Sequence, residues 1–517
     1  MNVKYNIQTI MPVILVLSLS VIAFAQGKYV EVPPAAQYKE KQFVFDWLSR
    51  QEVHDKYGKM SDAIWSYAEL GMQEFKSMKV VADDLEEAGF TVKRGVSGMP
   101  TAFMATWGSG KPVVGLMMEY DALPSLSQKG MTPTQDPVVA GAPGHGCGHN
   151  QQGPAVNAAA LALKAAMEKF GIRGTIKVFG GPAEETLVSR AYMARDHLFS
   201  DVDVLLSNHG APEFGTFYGT RGNAMFSAVF SFKGKTAHSA SGPWEARSAL
   251  DAVEIMNVSV NFLREHLFYS SRIHYVITNG GEAPNVVPDK ASVWYFVRNS
   301  DDKVESDYEK VVNCAKGAAL ATGTELSIRV LTAIHQSHTP KTLAELAQRN
   351  MELVGMPEWT EEERAFARAL QKELGKEEKG MPTEVKKLEY WDPNAEFTGG
   401  GSGDMAEVRL QTANVSIRFP GEVPGLICHH WSTTTCNYGS ATHKGIIAGA
   451  KAMAATLMDI LTNPEELKKV RDEFEKQAAQ FPYKTYLPEG TKPPVDLNRE
   501  LMEKWRPLME PHYLPYP

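Results

Sequence analysis

This sequence has few cysteines, no excess of positive charge and no internal repeats. Its 517 residues include only four cysteines, and its acidic residues outnumber the basic ones, which gives a net charge of -8. No block of lysine and arginine is present, so we expect no nucleic-acid partner. Internal repeats and low-complexity segments are also absent. A chain of this length and composition is expected to form two or three globular domains, each with its own hydrophobic core.

The N-terminus is predicted to be a secretory signal. Lys4 precedes an apolar run from Ile10 to Ala25, which ends in the triplet Ala23-Phe24-Ala25. The run is about 16 residues long, shorter than the roughly 20 that a membrane-spanning helix needs. We therefore expect cleavage after Ala25 and export to the periplasm, with no stable membrane insertion afterwards. An uncleaved membrane anchor is the alternative.

The stretch Gly-His-Gly-Cys-Gly-His-Asn (144–150) is the strongest chemical signal in the chain. Its glycines separate Cys147 and His149, so backbone bulk does not keep the two side chains from converging. An Ala-rich run containing Pro154 follows and predicts a helix, whose N-terminal dipole favours a thiolate. A thiolate beside a neutral imidazole is the pairing that zinc and similar metals prefer. The sequence therefore predicts a metal-binding loop, and a flexible loop with incidental Cys and His is the alternative.

Three predicted strands end in acidic or imidazole side chains. They are 113–118, followed by Glu119 and Asp121; 175–179, followed by Glu184 and Glu185; and 203–208, followed by His209. Open α/β sheets place their ligands at the carboxyl ends of the strands. We therefore expect these side chains to meet the metal-binding loop at one edge of a sheet.

Together these groups predict a site for two divalent metal ions. Cys147, His149, His209, one glutamate and a distal histidine would supply five ligands, enough for a pair of cations that acidifies water and polarises an amide carbonyl. Consecutive side chains of extended backbone point to opposite sides. One of Glu184 and Glu185 would then bind metal, while the other takes a proton from water and passes it to the leaving amine. The thiolate and imidazoles favour Zn2+, and the carboxylate keeps Mn2+ as an alternative.

The pattern of the chain changes near residue 224, where four strands and two helices are predicted in a row. We therefore expect an α/β fold in which a di-metal catalytic domain carries an inserted α+β lid or dimerisation domain. The predicted limits are 1–25 for the signal, 26–222 and 335–462 for the two parts of the catalytic domain, 223–334 for the lid, and 463–517 for a C-terminal extension.

Four motifs together carry a resemblance to a known family. They are His-x-Cys-Gly-His (145–149), Pro-Ala-Glu-Glu (182–185), Asn-His-Gly-Ala-Pro (208–212) and Gly-Lys-x-Ala-His (234–238). In this order and spacing they resemble the metallo-aminoacylase/carboxypeptidase family, in its amidohydrolase branch, over nearly everything from about residue 45 to 465. The resemblance implies a di-metal hydrolase of N-acyl amino acids such as p-aminobenzoyl-glutamate, dimerising through the sheet edge of its lid.

The resemblance also implies a role for each site residue. Glu184 would be the general base, Asp121 would orient His149, and lid residue His238 would stabilise the oxyanion, often in the partner subunit's site. The implied metal ligands are Cys147 as the bridge, His149 and His209 on one ion, and Glu185 and His429 on the other. Asn285 and Arg298 would hold the substrate carboxylate.

Two positions depart from the family pattern, and one assignment stays open. Glu119 stands where many relatives have the histidine of a His-x-Asp motif, and His149 is expected to replace that imidazole. Asn150 stands where relatives have an acidic residue. The distal ligand is expected to be His429, from the pattern His-x-Trp, with His430 and His443 as alternatives.

Two neighbours of the expected ligands also leave alternatives open. In an exported protein Cys428 and Cys436 could close a small disulfide loop, but Cys428 adjoins His429 of the predicted metal site, so the disulfide state is not decided. His145 is expected to support the metal ligands rather than to bind metal.

Two functions from different classes are compatible with these residues. The favoured one is an enzyme that hydrolyses the amide of a small N-acyl amino acid, or second a dipeptide, as a homodimer. The alternative is a non-catalytic or partner-dependent subunit that binds the same ligands. The intact pair Glu184 and Glu185 favours the enzyme, because a protein that only binds has no need of an unliganded glutamate.

Overall fold

Strands and helices alternate through most of the chain. The computed structural model describes residues 28–391 and 400–516. The predicted signal segment therefore lies outside the described residues, as do Thr398 and Gly399. The strands are β1 (Lys28–Val30), β2 (Thr91–Arg94), β3 (Phe103–Ser109), β4 (Val113–Met118), β5 (Gly174–Gly180), β6 (Val204–Ala211), β7 (Phe217–Arg221), β8 (Ala224–Lys233), β9 (Arg272–Asn279), β10 (Lys290–Asn299), β11 (Glu325–Ile334), β12 (Ser337–Thr339), β13 (Leu388–Trp391) and β14 (Ala413–Pro420).

The helix predicted after the metal-binding loop and the two predicted in the inserted unit are all present. The α-helices are α1 (Lys39–Leu48), α2 (Gln51–Tyr67), α3 (Phe75–Glu87), α4 (Gln152–Phe170), α5 (Ser189–Arg195), α6 (Ala249–Leu263), α7 (Asp301–Thr322), α8 (Lys341–Val354), α9 (Glu361–Glu373), α10 (Met405–Val408), α11 (Trp431–Cys436), α12 (Ser440–Thr462), α13 (Pro464–Gln480) and α14 (Arg499–Met509). Pro154 lies in the first turn of α4, where its missing N–H costs no helical hydrogen bond.

A six-stranded sheet of order β14-β6-β4-β5-β3-β2 is the frame of the catalytic part. Its first four strands are parallel, β3 runs antiparallel to β5, and β2 pairs antiparallel with β3. Every residue of β4 is buried, as expected for a central strand covered on both faces. The carboxyl ends of the parallel strands meet at one edge, which brings the segments after β4, β5, β6 and β14 together.

Helix α12 is long and apolar. Its length and composition would suffice to cross a membrane, but 89% of its most apolar window is buried inside the fold. It packs against α4, α8 and β14 in the main hydrophobic core. A helix that is apolar on all sides is typical of such a buried position, and we interpret α12 as a core helix.

Residues 224–334 form the inserted unit, here called the lid. Its antiparallel sheet has the order β11-β8-β10-β9, and α6 and α7 pack on one face of it. The chain enters through β7 and leaves through β12, which pair antiparallel with Arg221 opposite Ser337. At the base of the lid, Met225 and Phe226 join a hydrophobic cluster with Phe179 and Tyr192 of the catalytic part.

The C-terminal extension packs along the catalytic part and also touches the lid. Asn498 donates from its side chain to the carbonyl of Gly71 at 3.0 Å. Asp496 accepts a hydrogen bond of 2.9 Å from the guanidinium of Arg329 on lid strand β11. The extension therefore bridges the two parts of the molecule.

Candidate metal and catalytic site

Loops at the carboxyl edge of the sheet bring most of the predicted site residues together. Asp121 follows β4, Cys147 and His149 precede α4, Glu184 and Glu185 follow β5, His209 lies near the end of β6, and His429 precedes α11. The meeting of these segments follows directly from the parallel strand order described above.

The metal-binding loop turns sharply in front of α4. Gly148 has a φ of +78°, a left-handed conformation that glycine adopts without strain. This turn places Cys147 with its Sγ 3.5 Å from Nε2 of His209. The other ring nitrogen of His209 hydrogen-bonds the carbonyl of Gly210, which favours the tautomer whose Nε2 offers a lone pair to a metal.

His149 is fully buried, and a contact at its Nδ1 holds the orientation of its ring. Its Nδ1 lies 3.0 Å from Oδ1 of Asp121, the carboxylate–histidine contact that orients metal-binding imidazoles. Its Nε2 faces Oε1 of Glu119 at 3.6 Å and Oε2 of Glu184 at 3.9 Å. Among the described residues this nitrogen has no hydrogen-bond partner, although it is buried. A buried donor atom left in this way is typical of a ligand position.

Glu184 and Glu185 do not lie in extended backbone, so that part of the prediction was wrong. Glu184–Thr186 forms one 3-10 turn, flanked by Ala183 and Leu187 in the left-handed region at φ +56° and +60°. The buried carboxylate of Glu74 accepts the N–H of Ala183, directly before this turn. The N–H of Leu187 then closes the turn onto the carbonyl of Glu184 at 2.7 Å. The two carboxylates still diverge, because successive side chains of such a turn are rotated by about 120°.

Of the three candidate distal histidines, only His429 reaches these groups. Its Nε2 lies 3.3 Å from Oε2 of Glu185. His430 instead caps α11, and His443 pairs with Asp62 at 3.0 Å. The second oxygen of Glu185 is buried and, within the described residues, without a hydrogen-bond partner.

A second cysteine lies at the site, and sequence reasoning did not place it there. The ligand atoms of Cys147, Cys428 and His429 all lie within 4.8 Å of one another. All four cysteines are free in the structure, and the buried thiol of Cys436 donates to a backbone carbonyl instead of pairing with Cys428. The hydrogen bond between the two sulfurs raises the pKa of Cys147. That hydrogen bond and a second one with His429 lower the pKa of Cys428 to about 4.

The site carries far more negative than positive buried charge. One fully buried guanidinium, that of Arg190, pairs with Glu119 and, at 3.0 Å, with Asp404. Burial would raise the pKa of Glu119, but Arg190 holds it at about 2. The carboxylates crowded into this space are Glu119, Asp121, Glu184, Glu185 and Asp404.

The excess of buried negative charge changes the pKa values of Glu184 and Glu185. Burial, and then the charges of Glu119 and Asp404, raise the pKa of Glu184 well above its usual range. Burial raises the pKa of Glu185 to about 7. Buried carboxylates without counter-charges are costly, so this site is one that divalent cations would stabilise.

The donors present fit a pair of metal ions. Besides the sulfur-rich group named above, Cys147, His149 and His209 form one set of converging ligand atoms, and Glu119, His149 and Glu184 form another. Cys147 and His149 each belong to two of the three sets, so these two side chains connect the groups. Thiolate, imidazole and carboxylate donors of this kind suit zinc and its neighbours.

The lid residues of the predicted site lie at opposite ends of the lid sheet. His238 pairs with Val286, and the N–H of Ser239 donates to the carbonyl of Asn285 at 3.1 Å, so these residues share one end. Arg298 lies near the other end of β10. At the usual rise per residue, it is about 26 Å along the strand from the end that follows Asn285 in the chain. Within one chain, Asn285 and Arg298 therefore cannot bind the same carboxylate together.

Arg298 itself is half-buried at the base of the lid. Its guanidinium lies over the ring of Phe296, with the centroid at 5.3 Å, and its Nε is 3.4 Å from the sulfur of Met225. Burial lowers its pKa. Among the described residues no carboxylate lies within ion-pair distance of it, which leaves its charge available to an anionic ligand.

The supporting residues around the ligands were only partly predictable. His145 is buried, with Nε2 3.1 Å from the carbonyl of Ile64, and does not reach the ligand cluster, consistent with a supporting role. Arg190 and Asp404 were missed because neither belongs to a recognisable motif. The signal available for Asp404 was its position after the Gly-rich loop at 400–403, whose Gly403 passes close to Glu184.

Comparison with known proteins decides the family. A model of the M20 peptidase dimerisation domain matches residues 218–321. The chain is 36% identical over 462 residues to the B subunit of p-aminobenzoyl-glutamate hydrolase from Escherichia coli K12, covering 85% of this chain and 96% of that protein. The chain belongs to the M20 family. It is therefore a metal-dependent hydrolase of amide bonds, with the dimerisation domain inserted in the catalytic domain.

Two further comparisons also extend over most of the chain. The chain is 28% identical to the Xaa-Arg dipeptidase of Mus musculus, over 82% of this chain and 90% of that protein. A dinuclear metal-binding M20 peptidase from Bacillus subtilis shares the fold, with a TM-score of 0.50 and 16% identity over 80% of this chain and all of that one. The M20 assignment agrees with the resemblance that the sequence motifs indicated.

Proposed function

We propose that this protein hydrolyses the amide bond between an acyl or aroyl group and an amino acid, with p-aminobenzoyl-glutamate as its first expected substrate. The observation that carries the proposal is the buried glutamate pair beside the converging thiol and imidazole donors. The relative that is 36% identical is a subunit of p-aminobenzoyl-glutamate hydrolase, which supports the choice of substrate.

The proposed metal ligands are thiol, imidazole and carboxylate groups at the carboxyl edge of the sheet. Cys147 would bridge two ions, with His149 and His209 on one and Glu185 and His429 on the other. When bound, such a pair of divalent cations supplies the positive charge that acidifies a water molecule and polarises the amide carbonyl. Sulfur and nitrogen donors favour Zn2+, and the glutamate oxygens keep Mn2+ as the alternative.

The remaining residues of the chain would do the proton chemistry and the positioning. Glu184, whose pKa is raised in its buried setting, would accept a proton from water at its carboxylate and later donate it to the leaving amine. Asp121 keeps the His149 ring in one orientation through its 3.0 Å contact. His238 would donate to the developing oxyanion, while Arg298 and Asn285 hold the substrate carboxylate from two different subunits.

The substrate class is tested by direct hydrolysis assays. Purified protein loaded with Zn2+ or Mn2+ is expected to cleave p-aminobenzoyl-glutamate with kcat/KM above about 10^4 M-1 s-1. A chelator should abolish the activity, and re-addition of metal should restore it. N-acyl amino acids and Xaa-Arg dipeptides serve as the comparison, since the similarity to an Xaa-Arg dipeptidase makes dipeptides the second candidate. Protein that holds two metal ions but cleaves none of these substrates would point instead to a partner-dependent subunit.

We also propose that two copies assemble through the lid. Lid strand β9 is the outer edge of its sheet, and its Val276 and Ile277 are 54% and 42% exposed. Phe262 of the neighbouring helix α6 is 73% exposed. Exposed apolar edges of this kind are typical of protein interfaces. A homodimer would also let His238 and Asn285 of one copy complete the site of the other, and a heteromeric assembly with a different protein is the alternative.

Assembly can be tested by placing a charge on this edge. Val276→Asp is expected to shift the protein from dimer to monomer in sedimentation velocity and to lower kcat with it, because the lid residues would no longer reach a partner's site. Leu508→Asp is the matched control, since Leu508 is 52% exposed on α14, outside the lid. A wild-type protein that is monomeric and fully active would contradict the proposal.

We also propose that the protein is exported. The proposed domain limits are those given in the sequence analysis. Residues 1–25 would be removed as a signal, and the mature protein would act in the periplasm. N-terminal sequencing of the protein from the periplasmic fraction of a Gram-negative host tests this. Mature protein is expected to begin at Gln26, and an intact Met1 in the membrane fraction would indicate an uncleaved anchor instead.

A further inference from the structure

Cys428 lies among the proposed metal ligands, although no ligand role was expected of it. Its Sγ, the Sγ of Cys147 and a ring nitrogen of His429 lie within 4.8 Å of one another. Nε2 of His429 in turn lies 3.3 Å from Oε2 of Glu185. These four residues, here called the distal position, comprise a converging group of two sulfurs and one nitrogen, with the carboxylate of Glu185 beside its histidine.

The backbone explains how two consecutive side chains reach the same point. In extended backbone, Cys428 and His429 would point to opposite sides. His429 instead has a φ of +58°, a left-handed conformation that costs a non-glycine residue of the order of 1 kcal/mol. Its N–H is held by the carbonyl of Gly146 in the metal-binding loop, at 3.2 Å. Strain of this kind that the surroundings maintain is typical of functional positions.

A second observation at the distal position points to a cation. Oε1 of Glu185 is buried and has no hydrogen-bond partner among the described residues. Cys428 is exposed, and the His429 side chain is 51% exposed, so the position is open to solvent on one side. An ion can therefore reach the two thiols and His429 from solvent, and the buried carboxylate of Glu185 lies next to that histidine.

We propose that Cys428 is a direct ligand of the metal ion at the distal position, together with Cys147, His429 and Glu185. The inference rests on the proposed di-metal function and deepens it by assigning the metal preference. Two sulfur donors at one position favour a thiophilic ion, so the distal position would select Zn2+ over Mn2+. The other position, with Cys147, His149 and His209, has one sulfur fewer.

Cobalt substitution tests the ligand directly, because Co2+ bound to thiolate absorbs in the near ultraviolet and Co2+ bound to oxygen or nitrogen does not. In Cys428→Ser the charge-transfer band of protein holding two Co2+ should fall by roughly a third, since one of three cobalt–sulfur bonds is removed. Cys314→Ser is the matched control: Cys314 lies on lid helix α7, outside the ligand groups, and its variant should keep the full band.

Metal competition provides the second readout. The preference for Zn2+ over Mn2+, measured by equilibrium dialysis against both ions, should fall about tenfold or more in Cys428→Ser. Cys428→Asp, which offers an oxygen in place of sulfur, should keep two metal ions per chain but shift the preference further towards Mn2+.

The outcomes separate this inference from the proposed function. An unchanged cobalt band in Cys428→Ser with two ions bound would overturn the role of Cys428 and leave the di-metal hydrolase standing. A Cys147–Cys428 disulfide, detected by mass spectrometry in protein purified without reductant, would overturn it too. Wild-type protein that binds no Co2+ would instead overturn the proposed function itself.

Discussion

Glu184→Gln is expected to lower kcat by about 10^2- to 10^4-fold while leaving two metal ions bound, because glutamine keeps the size of the side chain but cannot accept the proton of water. In the structure the Glu184 carboxylate is well placed to act as a base, since it faces the site near His149 and burial raises its pKa. Steady-state kinetics on p-aminobenzoyl-glutamate and metal analysis by mass spectrometry check the two parts of the expectation.

The neighbouring glutamate is the matched control. Glu185→Gln is expected to lose metal as well as activity, because Glu185 contacts His429 and has a buried oxygen left for a cation. Glu184 also belongs to a group of possible metal ligands, together with Glu119 and His149. Metal content after each substitution therefore distinguishes a base from a ligand. If Glu184→Gln lost metal and activity to the same extent, Glu184 would be a ligand, and its assignment as the base would be wrong.

Arg190→Met is expected to be the most destabilising substitution at the site. It would leave the carboxylates of Glu119 and Asp404 buried without their shared guanidinium. Removing one partner of a buried charge network costs about 3–5 kcal/mol of unfolding free energy. Urea unfolding of the metal-free protein at pH 7 measures the loss, and Arg195→Met on the same helix, whose side chain is 27% exposed, should change stability by less than about 1 kcal/mol.

The pH dependence of this difference has a definite sign. The folded pKa of Glu119 is about 2, below its unfolded value, so its ionisation contributes stability that is present at neutral pH and lost as the pH falls through about 2. In Arg190→Met the buried carboxyl would have a raised pKa, and its ionisation would destabilise the fold as the pH rises. The stability gap between wild type and variant should therefore be wider at pH 7 than at pH 5. An equal gap at both values would mean that the loss comes from packing rather than charge.

Much of the site was predictable because it depends on parallel strands. Once β4, β5 and β6 are recognised as buried strands, the residues after them must meet at one sheet edge. Asp121, His149 and His209 were placed correctly near one another for that reason. The choice of His429 over His430 and His443 rested on motif resemblance, and the structure brings His429, and neither of the others, to Glu185.

Other features depend on contacts between distant segments and could not be predicted in the same way. The turn at Glu184 follows Ala183, whose N–H is hydrogen-bonded by Glu74, far away in the chain. Cys428 reaches Cys147 through the left-handed backbone at His429 and its hydrogen bond to Gly146. Neither contact leaves a periodic or motif signal in the sequence.

The sequence by itself determined the α/β frame, the inserted lid and the donor types of the metal site, since hydrophobic periodicity and short motifs are local properties. Only the tertiary structure decided how charge is balanced around that site. Arg190 is buried between Glu119 and Asp404, residues 71 and 214 positions away from it in the chain. The energy of a buried charge depends on which groups surround it in space, and those neighbours are set by the packing of the whole domain.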